Sequence, residues 1–367
     1  MKILISFFLA AGVFIAAGAG LSYYLYIDFE RKSASNKDQV VIYEIKSGDS
    51  FRKVSLDLQT QGLIRNADFF NIYSRVTGNR SKIKAGEYEL RTNMTPPQIL
   101  EVITSGKSIK RPFTVAEGLN IWEIASLVES KGLGTRQEFL ALIQNRELIE
   151  SLLGPDALAE NIRSLEGYLF PETYLLTKYM GAQDLVLQMV RKFLQVWSDV
   201  AQNYPNPKLK LTRHERVTLA SLVEKETGAS HERGLVSSVF HNRIHKGMKL
   251  QTDPSILYGL SVLSNKQILS ISKSDILRET PYNTYVIKGL PPGPVANPGR
   301  DALVASFSPK DSDYLFFVSR NDGTSVFSVE YKDHKSAVQK YQVDPQGRQG
   351  KSWRDLNKEV NKQNSSN

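Results

Sequence analysis

The sequence predicts an α+β chain: a single N-terminal transmembrane helix, small β-α-α-β modules, then a mixed α/β domain that carries the chemistry. Three observations predict it. No charged residue occurs from Ile3 to Ile27. A strand-helix-helix pattern that begins near Val40 returns about seventy residues later. Beyond residue 181, apolar-periodic helical runs give way to a Pro- and Gly-rich stretch at 280–299 and a hairpin signal. With 367 residues, the chain is long enough for two or three cores.

The uncharged run is the first element. As a helix it spans roughly 38 Å, enough to cross a hydrocarbon core of about 30 Å with some tilt. Tyr23, Tyr24 and Tyr26 cluster at its far end, as an interfacial aromatic belt does. A cleaved signal peptide is the rival reading, but its apolar stretch is usually only about 7–15 residues long. Lys2 and the N-terminal amine favour a cytoplasmic N-terminus. Arg31 and Lys32 pull the other way, diluted by Asp28 and Glu30. Residues 1–30 are therefore expected to be a single-pass anchor in the cytoplasmic (inner) membrane. The body is then exported, into the periplasm in a Gram-negative cell.

Residues 31–38 read as a polar linker, and 39–108 as the first β-α-α-β module. Val40–Ile45 is its strand, and Phe51, Val54 and Leu58 mark one helix that Gly62 stops. A second helix lies near 67–76. Residues 109–180 repeat the pattern. Phe113–Val115 is the strand, and Ile121, Ile124 and Val128 match Phe51, Val54 and Leu58. Gly132 matches Gly62, and Phe139 matches Phe69. Gly86-Glu87-Tyr88 closes the first copy, and Gly167-Tyr168 is the expected closing strand of the second. Two copies are too few for a solenoid.

Residues 181–342 form the expected catalytic domain. It opens with an amphipathic helix over 183–200. Tyr314–Ser319 and Ser325–Val329 flank Asp322-Gly323, a hairpin signal. Residues 343–367 are a polar tail. There is no cysteine, which excludes disulfides, thiolate chemistry and cysteine-ligated zinc. The formal charge of +9 fits attraction to an anionic polymer or membrane surface, and equally a solvated basic surface. No RNA-binding signature, zinc finger or long basic run occurs, so no nucleic acid partner is expected.

Thr212-Arg213-His214-Glu215 has the spacing of a capping box. The helix it opens is expected to run to about Thr227 and to end at a left-handed Gly228. Leu219, Leu222 and Val223 mark its buried face, and Glu226 falls on that face. Glu224 points about 200° away. An apolar face and a helix C-terminus both raise a carboxyl's pKa, which suits a general acid. Alternatively, Glu-Lys-Glu is simply a solvated helix face. Two carboxyls on one helix cannot flank one glycosidic bond. Glu226 thus acts alone or with a partner from another segment.

The next helix, about 231–246, is amphipathic and ends at Gly247. It is followed by loops in which prolines fix the backbone, glycines allow close approach, and amides and phenols suit sugar hydroxyls. These segments carry a family resemblance. The run Ala220-Ser221-Leu222-Val223-Glu224-Lys225-Glu226-Thr227 is followed by Ser238-Val239-Phe240-His241-Asn242-Arg243 and Leu250-Gln251-Thr252-Asp253-Pro254. Then come Tyr282-Asn283-Thr284-Tyr285 and Gly289-Leu290-Pro291-Pro292-Gly293. Together with Leu165-Glu166-Gly167-Tyr168-Leu169-Phe170-Pro171-Glu172-Thr173-Tyr174, they resemble the MltG (YceG-like) endolytic murein transglycosylases.

The resemblance implies an N-terminal anchor, a LysM-like portion and a catalytic domain. It implies a catalytic glutamate in the Glu-Lys-Glu run. That role is carried to Glu226, where a small hydroxyl residue follows, with Glu224 as the fallback. Gln251, Asp253, Asn283, Tyr285 and Glu166 are carried over as lining the substrate site. His334 is either a site residue or a packed one. The implied reaction cuts the bond between N-acetylmuramic acid and N-acetylglucosamine without water and leaves 1,6-anhydro ends. No metal or cofactor is implied. Implied partners are peptidoglycan glycan strands, the membrane and cell-wall synthases. Two rival readings stay open. One is a non-catalytic peptidoglycan-binding scaffold of the synthesis machinery. The other is a hydrolase that pairs Glu226 with Asp253 or Glu172.

Overall fold

The computed structural model describes residues 2–155, 157 and 160–344, with the side chains of 2–11, 13 and 14 left out. The polar tail, from residue 345 on, lies outside the described residues. The described chain is mixed α and β and divides into two units. One runs up to Pro112 and includes Leu175–Met180. The other comprises Phe113–Tyr174 and the chain from Gly181.

The first unit begins with α1 (Lys2–Arg31). The stretch expected to be the anchor starts in residues whose side chains lie outside the description. Among the described residues, no helix is long and apolar enough to cross a membrane. The last turn of α1 packs into the unit's core. Phe29 is buried there against Phe69, with ring centroids 5.7 Å apart, and Asp28 pairs with Arg65 at 3.0 Å. Strand β1 (Val40–Ile45) pairs antiparallel with β2 (Gly86–Arg91). Helices α2 (Phe51–Thr60) and α3 (Ala67–Val76) lie between them in the chain, and α4 (Pro96–Ser105) follows. The expected β-α-α-β order is present, and Phe51, Val54 and Leu58 are all in the core. The apolar period of α2 dictated this, because only one face of a helix can meet a two-stranded sheet.

Strand β3 (Arg111–Thr114) pairs with β4 (Thr173–Leu176), and the second unit takes up the chain within β3, at Phe113. The expected closing strand at Gly167-Tyr168 is not one. Gly167 has φ +85, and its Cβ position is occupied by Pro294 and Val217. This glycine serves a tight turn and a close approach, not a strand. Helices α5 (Ile121–Ser130), α6 (Arg136–Ile143) and α7 (Arg146–Leu153) lie between β3 and β4. Residues 113–174 share one compact unit with the chain that follows Gly181.

The remaining helices are α8 (Ala182–Asn203), α9 (Arg213–Glu226), α10 (Arg233–His245), α11 (Asp253–Ser264) and α12 (Arg300–Phe307). After them come β5 (Phe316–Ser319), antiparallel to β6 (Ser325–Ser328), and α13 (Tyr331–Val338). Helix α9 packs against α10, α11 and α12. The expectation of one buried face is too narrow for it, because every residue from Arg216 to Glu224 is buried. Buried Arg216 is accommodated by donating to the carbonyls of Ser306 (2.8 Å) and Leu209 (2.6 Å). The capping box forms as expected. Thr212 Oγ1 accepts from Glu215 N at 3.2 Å, and Glu215 Oε2 accepts from Thr212 N at 2.8 Å. The helix does not end on a left-handed Gly228. Thr227 ends it in an extended conformation at φ −138, and its hydroxyl accepts from Ala229 N at 3.0 Å.

Candidate active site

The C-terminus of α9 opens into a cavity of about 600 Å³ in the second unit. Glu226, the last residue of the helix, forms part of its wall with Thr227. Asp253 and Gln251 line it from the start of α11, Tyr285 from the loop after residue 280, and His334 from α13. The β5–β6 hairpin adds Phe317–Ser319 and Gly323–Ser325.

Glu224 has a different setting. It is buried, and its Oε1 accepts from Arg233 Nη2 at 2.8 Å while its Oε2 accepts from Gly299 N at 3.0 Å. Arg233 also meets Glu117 at 3.1 Å and Asp301 at 3.5 Å. A carboxylate held this way is compensated charge inside the protein, a structural ion pair whose disruption is costly. Burial raises the carboxyl of Glu117, and the neighbouring charge of Glu224 adds to the effect, while Arg233 opposes both. Gly299 admits the network, since a Cβ there would run into the Glu117 carboxyl.

The polar lining of the cavity is fixed from behind. Tyr285 Oη donates to Asp253 Oδ1 at 2.8 Å. Burial and then this bond raise the Tyr285 phenol well above its usual range. Asp253 sits in the first turn of α11. Gln251 adopts φ +55, uncommon for a side chain with a Cβ, and its N–H donates to Thr284 O at 3.2 Å. Thr252 N donates to Thr284 Oγ1 at 2.9 Å, which ties the two loops together. His334 stacks on Phe316 with ring centroids 5.1 Å apart. Burial, then the charge of Arg243, lowers its pKa from the usual imidazole value.

Two of the expected lining residues do not line this cavity. Asn283 is fully buried and structural. Its Nδ2 donates to the carbonyls of Ile276 (3.0 Å) and Arg278 (2.8 Å), and its Oδ1 accepts from Tyr285 N at 2.9 Å. It holds the loop that presents Tyr285. Glu166 is buried beside a different cavity, accepting from Ile121 N at 3.0 Å and Asn297 Nδ2 at 2.8 Å. Burial pushes its carboxyl up to about 8. Glu172 is exposed and ion-paired with Lys192 at 3.0 Å, outside the cavity lining.

Arg243 is the residue that sequence reasoning passed over, although the Asn-Arg pair stood among the quoted motifs. It is buried in the cavity wall and donates to Leu315 O at 2.7 Å and Leu250 O at 2.8 Å. One side chain thereby holds β5 and the 249–251 loop in place around Glu226. Burial pulls its pKa down, and the charges of Tyr285 and Glu226 oppose that. A basic residue inside an amphipathic helical run was the available signal.

The chain matches the model of the YceG-like family over residues 43–340. It is 30% identical over 308 residues to the endolytic murein transglycosylase of Bacillus subtilis (strain 168), covering 81% of this chain and 83% of that protein. It is 29% identical over 365 residues to the endolytic murein transglycosylase of Streptococcus pneumoniae serotype 2 (strain D39 / NCTC 7466), spanning 92% of this chain but 65% of that longer relative. The crystal structure of a yceG-like protein from Listeria monocytogenes superposes with a TM-score of 0.54 at 29% identity, covering 82% of this chain and 100% of that one. By the extent of the family match, the chain belongs to the YceG-like family.

Proposed function

We propose that the protein is a lytic transglycosylase that cuts peptidoglycan glycan strands, with Glu226 as its acid and base. One observation carries the assignment of the residue. Of the two glutamates at the end of α9, Glu224 is committed to Arg233 and Gly299, while Glu226 stands at the wall of the cavity. The names of the relatives support the reaction class. Glu226 protonates the glycosidic oxygen as the C1–O bond breaks. The resulting carboxylate takes the proton from the muramyl 6-hydroxyl as that oxygen bonds to C1. Water does not enter, and the product carries a 1,6-anhydro ring. The second nucleophile belongs to the substrate, so one protein carboxyl suffices. The uncharged run Ile3–Ile27 supports a membrane-anchored body acting outside the cytoplasm.

A second reading has one observation in its favour. Asp253 lines the same cavity as Glu226, from another segment of the chain. A hydrolase would use it to activate water. Mass spectrometry of the fragments separates the two: anhydro ends support the transglycosylase, and reducing ends support the hydrolase.

A further inference from the structure

The second unit holds another cavity, of about 490 Å³, that the reaction above does not use. Its inner wall is aromatic. Trp122 and Tyr258 have ring centroids 5.1 Å apart, and Tyr258 and Tyr282 4.9 Å. Three polar side chains, Gln144, Asn161 and Arg163, stand at its exposed rim. They make no side-chain hydrogen bond or ion pair among the described residues, whereas the polar groups behind the rings are all spoken for. Glu166 accepts from Ile121 N and Asn297 Nδ2. His214 Nδ1 meets Tyr168 Oη at 2.9 Å, and its Nε2 meets Pro292 O at 3.0 Å.

This division has chemical content. A ligand pocket is typically apolar or aromatic with a few convergent polar groups that fix orientation. Aromatic rings give a flat, weakly polar face that accepts the C–H side of a sugar ring. The amides at the rim donate and accept, and the guanidinium donates, in the pattern that hydroxyls and N-acetyl groups require. The exposed Arg163 adds guanidinium N–H donors for the hydroxyl and acetamido oxygens of a sugar. The rings are also held in place. A Cβ on Gly259 would run into Thr280 Oγ1 and Tyr282, so the glycine lets the 280–285 loop lie directly on α11.

We propose that this cavity is a second saccharide-binding site, one that takes an N-acetylated sugar of a glycan strand apart from the residues being cut. The proposal rests on the reading that the substrate is a glycan. The two cavities share their partition. Asp253 faces one cavity from the start of α11, while Tyr258 and Gly259 face the other about 8 Å farther along the helix. The 280–285 loop likewise gives Tyr285 to the first and Tyr282 to the second.

The test uses the full-length protein in detergent with Glu226→Gln in place, titrated with the N-acetylglucosamine tetramer. Tryptophan emission reports locally on Trp122, and calorimetry reports the number of sites. The expected result is a saturable emission shift that Trp122→Phe abolishes while calorimetric binding persists. Tyr282→Ala and the rim variant Arg163→Ala should each weaken that binding at least tenfold, with Asp253→Asn leaving it unchanged. Arg163 is exposed, so its variant tests the site even if Tyr282→Ala folds poorly. Binding at a single site that Asp253→Asn removes and Arg163→Ala leaves intact would overturn the proposal. So would the absence of any emission shift at saturating tetramer. Failure of the proposed reaction shows separately, as unchanged strand cleavage by Glu226→Gln.

Discussion

Glu224 and Glu226 are two residues apart, and the surroundings rather than the residue type separate their roles. Glu224→Ala leaves Arg233 buried without its best partner and should cost about 3 kcal/mol, seen as a lower midpoint in chemical denaturation. Glu226→Gln should leave that midpoint within about 0.5 kcal/mol of wild type and abolish cleavage. The reverse pattern would move the acid to Glu224. Asn283→Ala strands the carbonyls of Ile276 and Arg278 and should destabilise by about 2 kcal/mol or more, with activity falling through the displaced Tyr285. The Glu166 carboxyl is raised from an ordinary value of 4.5 to about 8. Between those values the folded protein binds more protons than the unfolded chain, so stability falls as pH rises. The pH dependence of the wild-type melting temperature should show this loss, and Glu166→Gln should flatten it over the same window. At this scale the sequence was half legible. Glu226, Asp253, Gln251 and Tyr285 line one cavity. Asn283 and Glu166 do not, because a polar residue in a loop motif has the same identity whether it faces a ligand or satisfies buried backbone.

At the scale of elements, local rules read well wherever a short-range interaction decides the outcome. The Thr212–Glu215 box forms atom for atom, and Thr212→Ala should cost α9 about 1 kcal/mol, measurable as a lower denaturation midpoint with the product pattern unchanged. The hairpin at Asp322-Gly323 also forms, with Gly323 at φ +89 and Arg320 N donating to Thr324 O at 2.8 Å. Reading failed where distant residues decide. Gly167 looked like an echo of Gly86, but Pro294 and Val217, far away in sequence, make it a close-packing turn. Gly228 looked like a helix stop, yet the extended backbone of Thr227 ends the helix one residue earlier. The face argument for Glu226 assumed a surface helix, whereas α9 is enclosed by three others. Glu226 reaches the cavity because the helix ends there.

For the whole molecule, the order of parts was legible from composition and periodicity: an apolar start, a β-α-α-β unit, and a larger helical unit with proline-rich loops. The junction after α1 was not, since Phe29, two residues past the uncharged run, belongs to the first unit's core. The larger unit gathers a cavity wall from helix ends, a tied pair of loops and a hairpin, with Arg243 bonded to two of these parts. Such a site is built from segments up to about a hundred residues apart, and no local pattern announces it. The account places one proton-transferring carboxyl in that cavity and gives the second nucleophile to the substrate. The most direct test is mass spectrometry of uncrosslinked glycan strands incubated with the full-length protein and with Glu226→Gln. The account predicts internal cuts ending in 1,6-anhydro-N-acetylmuramic acid from the wild type and uncut strands from the variant. Reducing ends from the wild type, or wild-type cleavage by Glu226→Gln, would contradict it.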